Sequence, residues 1–465
     1  MAELDTIDIE SRHLKMVKSV FARYLPYKQV WAYGSRVKWT AGHASDLDCV
    51  IFNSTDSEIY NAQEAFDESD IPFEVQLLNW ETIPDDFKKN IKKGYFVLRN
   101  KGDWGEFTLG EIITLQRGHD LSKNNMLDGN IPVAGSNGII GYYNKPTTKS
   151  LGITIGRSGN LGNAYLYKTD FWAHNTTLYV KNFKNNDEIF IYYLLKNIDF
   201  TSFNVGSAVP TLNRNHIHPL EILLPSLPEQ KAIAAVLSSL DDKIDLLHRQ
   251  NKTLESIAET IFRQWFVEEA DDSWEKGSLS KIADYLNGLA CQNHLPKNDF
   301  NKLPVLKIKD LKNGLSKDSD WATSDVKKEY IVKNGDIVFS WSASLLVKIW
   351  SGEDCVLNQH LFKVTSNQYP KWFIYLWTNY YLEKFIAIAE SKATTMGHIK
   401  RTDLDNAIVT IPLNAEIEYM DKTIKPVIDK IIINNSQIKT LETLRDTLLP
   451  KLMSGDIRVE HEVAA

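Results

Sequence analysis

Hydrophobic residues recur at alternating steps of three and four in two long stretches of the chain. The first stretch spans 227–268 and the second 413–458, and each carries one asparagine, Asn251 or Asn434, inside its apolar stripe. This heptad pattern predicts two long amphipathic helices, each of which needs a partner helix to cover its stripe. At 1.5 Å per residue, roughly 40 residues give a helix of about 60 Å. The nearest partner for each stretch is the other one.

The two stretches are copies of one another. Residues 242–261 align without gaps on residues 429–448, and nine of the twenty positions are identical, where average composition would give about one or two. A segment rich in short β-like runs precedes each stretch. Both segments open with the same spacing of four residues, which are Trp104, Leu109, Ile112 and Gly118 in the first and Trp274, Leu279, Ile282 and Gly288 in the second. The pattern therefore predicts a lobe followed by a helix, twice over.

The predicted fold class is an α+β multidomain protein, with an α/β domain ahead of two α/β lobes and two long helices. The predicted boundaries are an N-terminal domain at 1–102, lobes at 103–226 and 269–412, helices at 227–268 and 413–458, and a tail at 459–465. Hydrophobic content of 43% and charged content of 24% indicate a globular protein.

The net charge of −7 does not by itself favour a nucleic-acid partner, so any DNA-binding face must be a local patch. The N-terminus resembles no signal peptide and no stretch is long enough to cross a membrane, so we expect a cytoplasmic protein with no membrane partner. Cys49, Cys291 and Cys355 are far apart and form no metal-binding pair, and we expect them to be buried, reduced thiols.

Several local motifs accompany this order of elements. They are LPEQKAIAAVLSSLDDKIDLLHRQNKTLESIAETIFRQWF and LETLRDTLLPKLMSGDI in the helices, SNGIIGYY, TIGRSGNLGNAYL and GSAVPTLNRNHI in the first lobe, and NGDIVFSWSA and LNQHLF in the second. With the repeat, they resemble the specificity subunits of type I restriction-modification systems over about residues 104–458.

The resemblance implies that each lobe is a target recognition domain that reads one half of a bipartite, asymmetric site in double-stranded DNA. It implies that the helices pair as an antiparallel coiled coil that sets the gap between half-sites. The implied partners are two adenine methyltransferase subunits and restriction/translocase subunits, which bind S-adenosylmethionine and ATP themselves. DNA recognition then needs no cofactor, and the subunit is not itself catalytic.

Base edges are read by side chains with paired donors and acceptors, so loop Arg, Asn, Gln and Ser are the chemically suitable readers. The first-lobe candidates are Arg117, Ser136, Asn137, Arg157, Ser158, Asn160, Asn213 and Arg214. The second-lobe candidates are Lys307, Lys309, Lys312, Ser340, Trp341, Ser342, Lys400 and Arg401, with the lysines suited to phosphate contacts.

Residues 1–102 lie outside this resemblance. The stretch VWAYGSRVKWTAGHASDLDCVIF combines Gly34-Ser35 with Asp46 and Asp48, and it resembles the minimal nucleotidyltransferases of the polymerase-beta type. Alternation along a strand puts Asp46 and Asp48 on one face, where two carboxylates can hold Mg²⁺ against a nucleoside triphosphate. Gly34 would let the chain approach a phosphate, and Ser35 would hydrogen-bond to it.

One departure from that family's pattern concerns a third carboxylate on the neighbouring strand. FEVQLLNW places Gln76 there, and Glu74, two residues earlier, is the candidate substitute. Two interpretations stay open: an active transferase, or a fold retained for binding or regulation. An alternative for the whole chain is a nucleotidyltransferase whose C-terminal lobes only select its target, and a third is a coiled-coil scaffold with no DNA role.

Overall fold

The computed structural model describes residues 3–42, 45–203, 211–391 and 397–459. Internal contacts divide the chain into two units, residues 1–239 with 446–465 and residues 240–445. The GSAVP part of the first-lobe motif and most of the predicted tail lie outside the described residues.

The N-terminal domain is a four-stranded sheet of order β3-β2-β1-β4, with β2 and β3 parallel. Its elements are α1 (Ser11–Tyr24), β1 (Val30–Tyr33), β2 (Leu47–Ile51), α2 (Asp56–Asp67), β3 (Val75–Asn79), α3 (Asp85–Ile91) and β4 (Phe96–Arg99). A hydrophobic core that includes Phe21 of α1 and Phe66 of α2 covers one face of the sheet. A second cluster, in which Trp31 stacks on Tyr95, covers the alternate set. The predicted α/β domain is thus confirmed.

The first lobe contains a four-stranded sheet of order β10-β9-β12-β6 and a three-stranded sheet of order β11-β7-β8. Its strands are β5 (Gly105–Thr108), β6 (Thr114–Arg117), β7 (Ile131–Gly135), β8 (Gly138–Tyr143), β9 (Gly152–Gly156), β10 (Ala164–Tyr167), β11 (Trp172–Ala173), β12 (Thr177–Asn182) and β13 (Glu221–Leu224). Its helices are α4 (Leu109–Ile112), α5 (Glu188–Asn197) and α6 (Arg214–Ile217). The strand that opens the lobe, β5, pairs with the strand that closes it, β13.

Two long helices follow the lobes, α7 (Leu227–Arg263) and α13 (Asn414–Ser454), which confirms both helices predicted from the heptad pattern. A π-helical segment, Gln264–Glu268, extends α7. No helix in the described part of the chain is long and apolar enough to cross a membrane.

The second lobe repeats the first. Its strands are β14 (Glu275–Ser278), β15 (Asp284–Asn287), β16 (Lys302–Leu306), β17 (Trp321–Thr323), β18 (Ile331–Val332), β19 (Ile337–Ser340), β20 (Leu346–Ile349), β21 (Cys355–Leu357), β22 (Leu361–Thr365) and β23 (Ile408–Ile411). Its helices are α8 (Leu279–Ile282), α9 (Ile308–Asn313), α10 (Lys371–Tyr380), α11 (Leu382–Ser391) and α12 (Arg401–Asp405). The larger sheets correspond strand for strand, as β15-β22-β19-β20 against β6-β12-β9-β10, and β14 pairs with β23 as β5 does with β13.

The two long helices pack antiparallel. Within residues 240–445, Arg445 near the end of α13 donates to Asp241 of α7 at 2.8 Å. Asn434, eleven residues earlier in α13, donates to Asn251, ten residues later in α7. Residue numbers therefore increase in opposite directions along the two helices, which makes the pair antiparallel. In the other unit, the start of α7 and the end of α13 both contribute to the first-lobe core, through Ile233, Leu237, Leu449 and Leu452.

Both asparagines of the heptad stripes lie in this seam. Asn434 is fully buried and donates from Nδ2 to Asn251 Oδ1 at 2.9 Å, while Asn251 donates to Asn435 Oδ1 at 2.7 Å. Apolar layers that include Leu247 and Ile438 lie beside them. A buried polar pair in an apolar seam disfavours other alignments, since any slip leaves the amides without partners.

We expect Asn434→Ala to lower the free energy of unfolding of the helix pair by about 1–3 kcal/mol, because Asn251 loses a donor inside the seam. Urea unfolding followed by circular dichroism measures this. The exposed Gln437→Ala on the same helix is the control, and equal stability of the two variants would contradict the role of the seam. Replacing both Asn251 and Asn434 with Leu should recover the stability while weakening the choice of register.

Candidate DNA interface and nucleotide site

In the first lobe, the ends of several strands and loops meet at one edge of the larger sheet. This edge is formed by the ends of the strands and not by an outer strand. These segments are 117–120, 157–158, 174–176 and 211–214. The Arg157 N–H donates to the Thr176 carbonyl and the Leu212 N–H donates to the Arg157 carbonyl, both at 2.8 Å. Backbone bonds thus hold three of these segments together, and strand β6 brings the fourth.

The structure brings most of the predicted first-lobe residues to this edge. A Cβ at Gly156 would lie 3.3 Å from the Ser136 carbonyl, so the loop after β7 also reaches it. All eight predicted side chains are at least partly exposed. They are Arg117, Ser136, Asn137, Arg157, Ser158, Asn160, Asn213 and Arg214.

The second lobe has the same arrangement. Segments 287–289, 341–343, 358–360 and 397–401 meet at the corresponding edge. The Ile399 N–H donates to the Trp341 carbonyl at 3.1 Å, as Leu212 does to Arg157 in the first lobe. Trp341, Lys400 and Arg401 therefore lie in segments that correspond to those of the first lobe.

Three predicted lysines of the second lobe line two different cavities. Lys307 and Lys309 line a cavity of about 740 Å³ together with Gln359 and His360. Lys312 lies at a different cavity, beside Lys252 of α7. Lys307 and Lys309 thus belong to the edge described above, and Lys312 does not.

Two predicted contacts are not supported. Ser340 is fully buried and donates to the Ser342 carbonyl at 3.2 Å, and Ser342 is 6% exposed with its hydroxyl 3.2 Å from His360 Nδ1. Ser340 closes β19, which is an inner strand of the sheet. Both serines are therefore internal to the lobe rather than presented to DNA.

Two of the predicted arginines make equivalent internal bonds. Arg214 donates to the Leu115 carbonyl at 3.4 Å and Arg401 donates to the Tyr285 carbonyl at 3.1 Å. Leu115 and Tyr285 occupy the same place in strands β6 and β15. A contact that is the same in both lobes supports the scaffold and does not distinguish their targets.

In the N-terminal domain, the predicted carboxylates share one face. Asp46 and Asp48 are half-buried while Leu47 and Cys49 between and after them are fully buried, as the alternation predicts. Burial, and then the neighbouring Asp46, raise the pKa of Asp48. Gly34 has φ +84°, and a Cβ there would lie 2.3 Å from Asp48 Oδ2. The glycine turn therefore passes directly against the carboxylate pair, with Ser35 next in the chain.

The position of the third carboxylate is taken by an amide. Gln76 lies opposite Asp48 in the parallel β2–β3 register and donates from Nε2 to Asp46 Oδ2 at 3.2 Å. Among the described residues, no group of three or more His, Cys, Asp or Glu side chains could hold a metal ion. Glu74 is exposed, as is Gln76, and its role as the substitute carboxylate stays a prediction.

Arg36 is a residue of this site that sequence reasoning missed. It is 7% exposed, donates to the Ser45 carbonyl at 2.6 Å and to the Asp8 carbonyl at 3.0 Å, and lies 4.0 Å from the ring centre of Phe73. It thereby holds the backbone that leads into Asp46. Its position directly after Gly34-Ser35 was the feature of the sequence that could have indicated that it belongs to this site.

Comparison with known families gives a clear assignment. Residues 101–256 and 271–443 match the family described as "Type I restriction modification DNA specificity domain". The chain belongs to this family. Residues 15–102 match the family described as "Polymerase beta, Nucleotidyltransferase". The specificity family thus covers both lobes and most of each long helix, and the second match covers most of the N-terminal domain.

Individual relatives agree with the two matches. The chain is 29% identical over 303 residues to the type I restriction enzyme MjaIX specificity subunit of Methanocaldococcus jannaschii, which covers 58% of this chain and 69% of the relative. It is 39% identical over 104 residues to the probable protein adenylyltransferase MntA of Haemophilus influenzae, which covers 22% of this chain and 91% of the relative. The crystal structure of the specificity subunit from M. genitalium shares the fold with a TM-score of 0.52 at 17% identity, over 77% of this chain and 97% of that one.

The N-terminal domain packs against the first lobe of the specificity subunit. Arg23 of α1 forms a bidentate pair with Glu111 of α4, at 2.5 and 2.7 Å, and Ser19 donates to Glu106 at 2.7 Å. The Tyr27 hydroxyl donates to the Pro225 carbonyl at 3.1 Å. Burial acts to raise the pKa of Glu111, but hydrogen bonds from Arg23 and Thr108 outweigh it, so this pKa is lowered.

We expect Arg23→Met to loosen this contact and to cost up to about 1 kcal/mol, because both charged groups are partly exposed. Since the pKa of Glu111 is lowered in the folded state, the contribution is complete above its ordinary value and disappears as the pH falls through the lowered one. Urea unfolding of the N-terminal domain by tryptophan fluorescence, at neutral and acid pH, measures this.

Arg12→Met is the matched control, since Arg12 lies on the same helix and pairs with Glu10 in an exposed position. An equal loss in both variants, or a difference for Arg23→Met that persists in acid, would contradict the ion pair as the cause.

Proposed function

We propose that each lobe reads one half of a bipartite, asymmetric site in double-stranded DNA. The supporting observation is that both lobes bring exposed polar loops to the corresponding edge of one shared scaffold, while the side chains on those loops differ. Phosphate contacts place a protein on DNA, and base contacts select the sequence. A common scaffold with different side chains therefore suits two half-sites of unlike sequence.

The helix pair is proposed to set the number of base pairs between the half-sites and to dock the partners. Those partners are two adenine methyltransferase subunits and the restriction/translocase subunits, which bind S-adenosylmethionine and ATP. The membership of the chain in the specificity family supports this assignment. A nucleotidyltransferase whose lobes only select its target is not favoured, because the specificity match covers both lobes and most of each long helix.

For the N-terminal domain we propose binding of a nucleoside triphosphate with Mg²⁺, without transfer. The donor set fits a cation in part, because Asp46 and Asp48 repel one another and a divalent ion would relieve that repulsion. Gly34 leaves room for a phosphate, and Ser35 would donate a hydrogen bond to it. Gln76 brings no charge where nucleotidyltransferases usually have a carboxylate, so the domain lacks a group for the transfer step.

Protein adenylylation is the second candidate for this domain, because the Haemophilus influenzae relative is described as a probable protein adenylyltransferase. It requires that Asp46 and Asp48 suffice without a third carboxylate. The two candidates differ in one observable, which is covalent labelling.

We expect DNA from cells that express the chain with its methyltransferase to carry a bipartite adenine mark that disappears when the chain is deleted. Matched seven-residue insertions after Leu247 in α7 and before Ile438 in α13 keep the heptads in phase and add about 10 Å. The gap in the mark should then grow by about three base pairs, since each step of DNA rises 3.4 Å. A map of modified bases measures this.

The same insertion in α13 alone is the control, because it breaks the pairing of Asn251 with Asn434 and should abolish the mark. An unchanged gap in the matched variant would overturn the helix pair as the spacer. No bipartite mark from the unaltered chain would overturn the DNA-reading role.

We expect the full chain to bind ATP in a Mg²⁺-dependent manner and to incorporate no label from nucleotides labelled in the α-phosphate. Asp48→Asn should weaken binding by about tenfold or more, since it removes one charge that faces the cation, and tenfold corresponds to about 1.4 kcal/mol. Isothermal titration and a gel-based labelling assay measure the two properties.

Asp70→Asn, an exposed residue of the same domain, is the control and should bind as the unaltered chain does. Labelling of any protein by the unaltered chain that Asp48→Asn abolishes would favour the adenylyltransferase. Absence of Mg²⁺-dependent binding would leave the domain a structural role. Gln76→Asp tests the missing group directly, and we expect it to create labelling.

A further inference from the structure

One turn has the same backbone framework in both lobes. It is residues 174–176, between β11 and β12, in the first lobe and 358–360, between β21 and β22, in the second. The Thr177 N–H donates to the His174 carbonyl at 2.9 Å, and the Leu361 N–H donates to the Asn358 carbonyl at 3.0 Å. The two turns are therefore closed by the same hydrogen bond.

The glycine that ends the shared opening motif explains why the turns are alike. A Cβ at Gly118 would lie 2.1 Å from the His174 carbonyl oxygen, and a Cβ at Gly288 would lie 2.2 Å from the Asn358 carbonyl oxygen. Any side chain at either glycine would displace the turn. The motif found at the start of both lobes thus encodes a close backbone contact that fixes this turn.

The side chains on the fixed turns differ between the lobes. The middle position is Asn175 in the first lobe and Gln359 in the second, and both side chains are partly exposed. Each carries a primary amide, which offers a donor and an acceptor in one plane. Such an amide can make paired hydrogen bonds to adenine N6 and N7 in the major groove of DNA.

The surroundings of each amide suit nucleic acid. Asn175 donates to Asp120, which also accepts from Arg117 at 3.0 Å, and Arg157 donates to the Asn175 carbonyl at 3.5 Å. Gln359 lies in the cavity lined by Lys307 and Lys309. Basic side chains beside a base-reading group provide phosphate contacts that position it.

We propose that Asn175 and Gln359 are the corresponding specificity-determining residues of the two lobes, each reading a base edge in its own half-site. This inference rests on the proposed DNA-reading function. Positions that make the same bond in both lobes, such as Arg214 and Arg401, hold the scaffold. Asn175 and Gln359 instead combine a fixed backbone with a partly exposed amide, which suits each of them to read an adenine in its own half-site.

The test is a map of modified bases from cells that express the methyltransferase with the full-length chain or its variants. Asn175→Ala should relax the choice at one base of the first half-site by about ten- to a hundredfold, the range that a paired base contact provides. Gln359→Ala should relax one base of the second half-site and leave the first unchanged. Each variant is thus the control for the other, because the intact half-site reports a folded subunit.

Lys181→Ala is the framework control, since Lys181 is an exposed residue of the same strand, β12, beyond the turn. If Asn175→Ala abolishes the mark, Asn175→Asp decides, because a carboxylate has only acceptors and suits cytosine N4 rather than adenine. A changed base in the first half-site would support the inference, and an unchanged motif would overturn it.

The experiment separates failure of the proposed DNA-reading function from failure of the roles proposed for Asn175 and Gln359. No bipartite mark from the unaltered chain would overturn the DNA-reading function itself. A normal mark from the unaltered chain, with unchanged motifs in both alanine variants, would overturn only the role of Asn175 and Gln359.

Discussion

Two asparagines buried between apolar helices fix the alignment on which the rest of the molecule depends. Each lobe completes its core with residues of both helices, which are Ile233 and Leu452 in one unit and Phe262 and Ile424 in the other. A slip of either helix would remove these residues from the lobe cores and leave the amides of Asn251 and Asn434 unpaired. The hydrogen bonds between the asparagines and the two apolar lobe cores thus disfavour the same change, which is a shift of one helix along the other.

Repetition lets one scaffold carry two independent readers. Gly118 and Gly288 hold equivalent turns by close backbone contact, and Arg214 and Arg401 bond equivalent carbonyls. These interactions involve the backbone, so they place no demand on the neighbouring side chains. The loops can therefore differ almost completely between the lobes while the strand order stays the same.

The sequence predicted the elements whose signals are periodic. Both long helices, their buried asparagines and the shared face of Asp46 and Asp48 followed from spacing alone. Between the shared opening motif and the β run with proline that closes each lobe, the likeness of the lobes was not predictable, because loops of unequal length separate strands that correspond. Burial of Ser340 and Ser342 was missed because serine is usually exposed, although the apolar run Ile337–Phe339 directly before Ser340 was a signal for a buried strand.

The N-terminal domain is held to the subunit by more than its linker. Glu229, at the start of α7, is fully buried and accepts hydrogen bonds from Trp104 at 3.1 Å and from Arg458 at 2.7 Å. Arg458 also donates to the Gly102 carbonyl at 3.0 Å. A buried carboxylate needs such partners, because an unpaired charge there would be costly. The segment that leaves the N-terminal domain is thus tied to a spacer helix and to the end of the chain, so the domain is part of the first-lobe unit rather than a tethered addition.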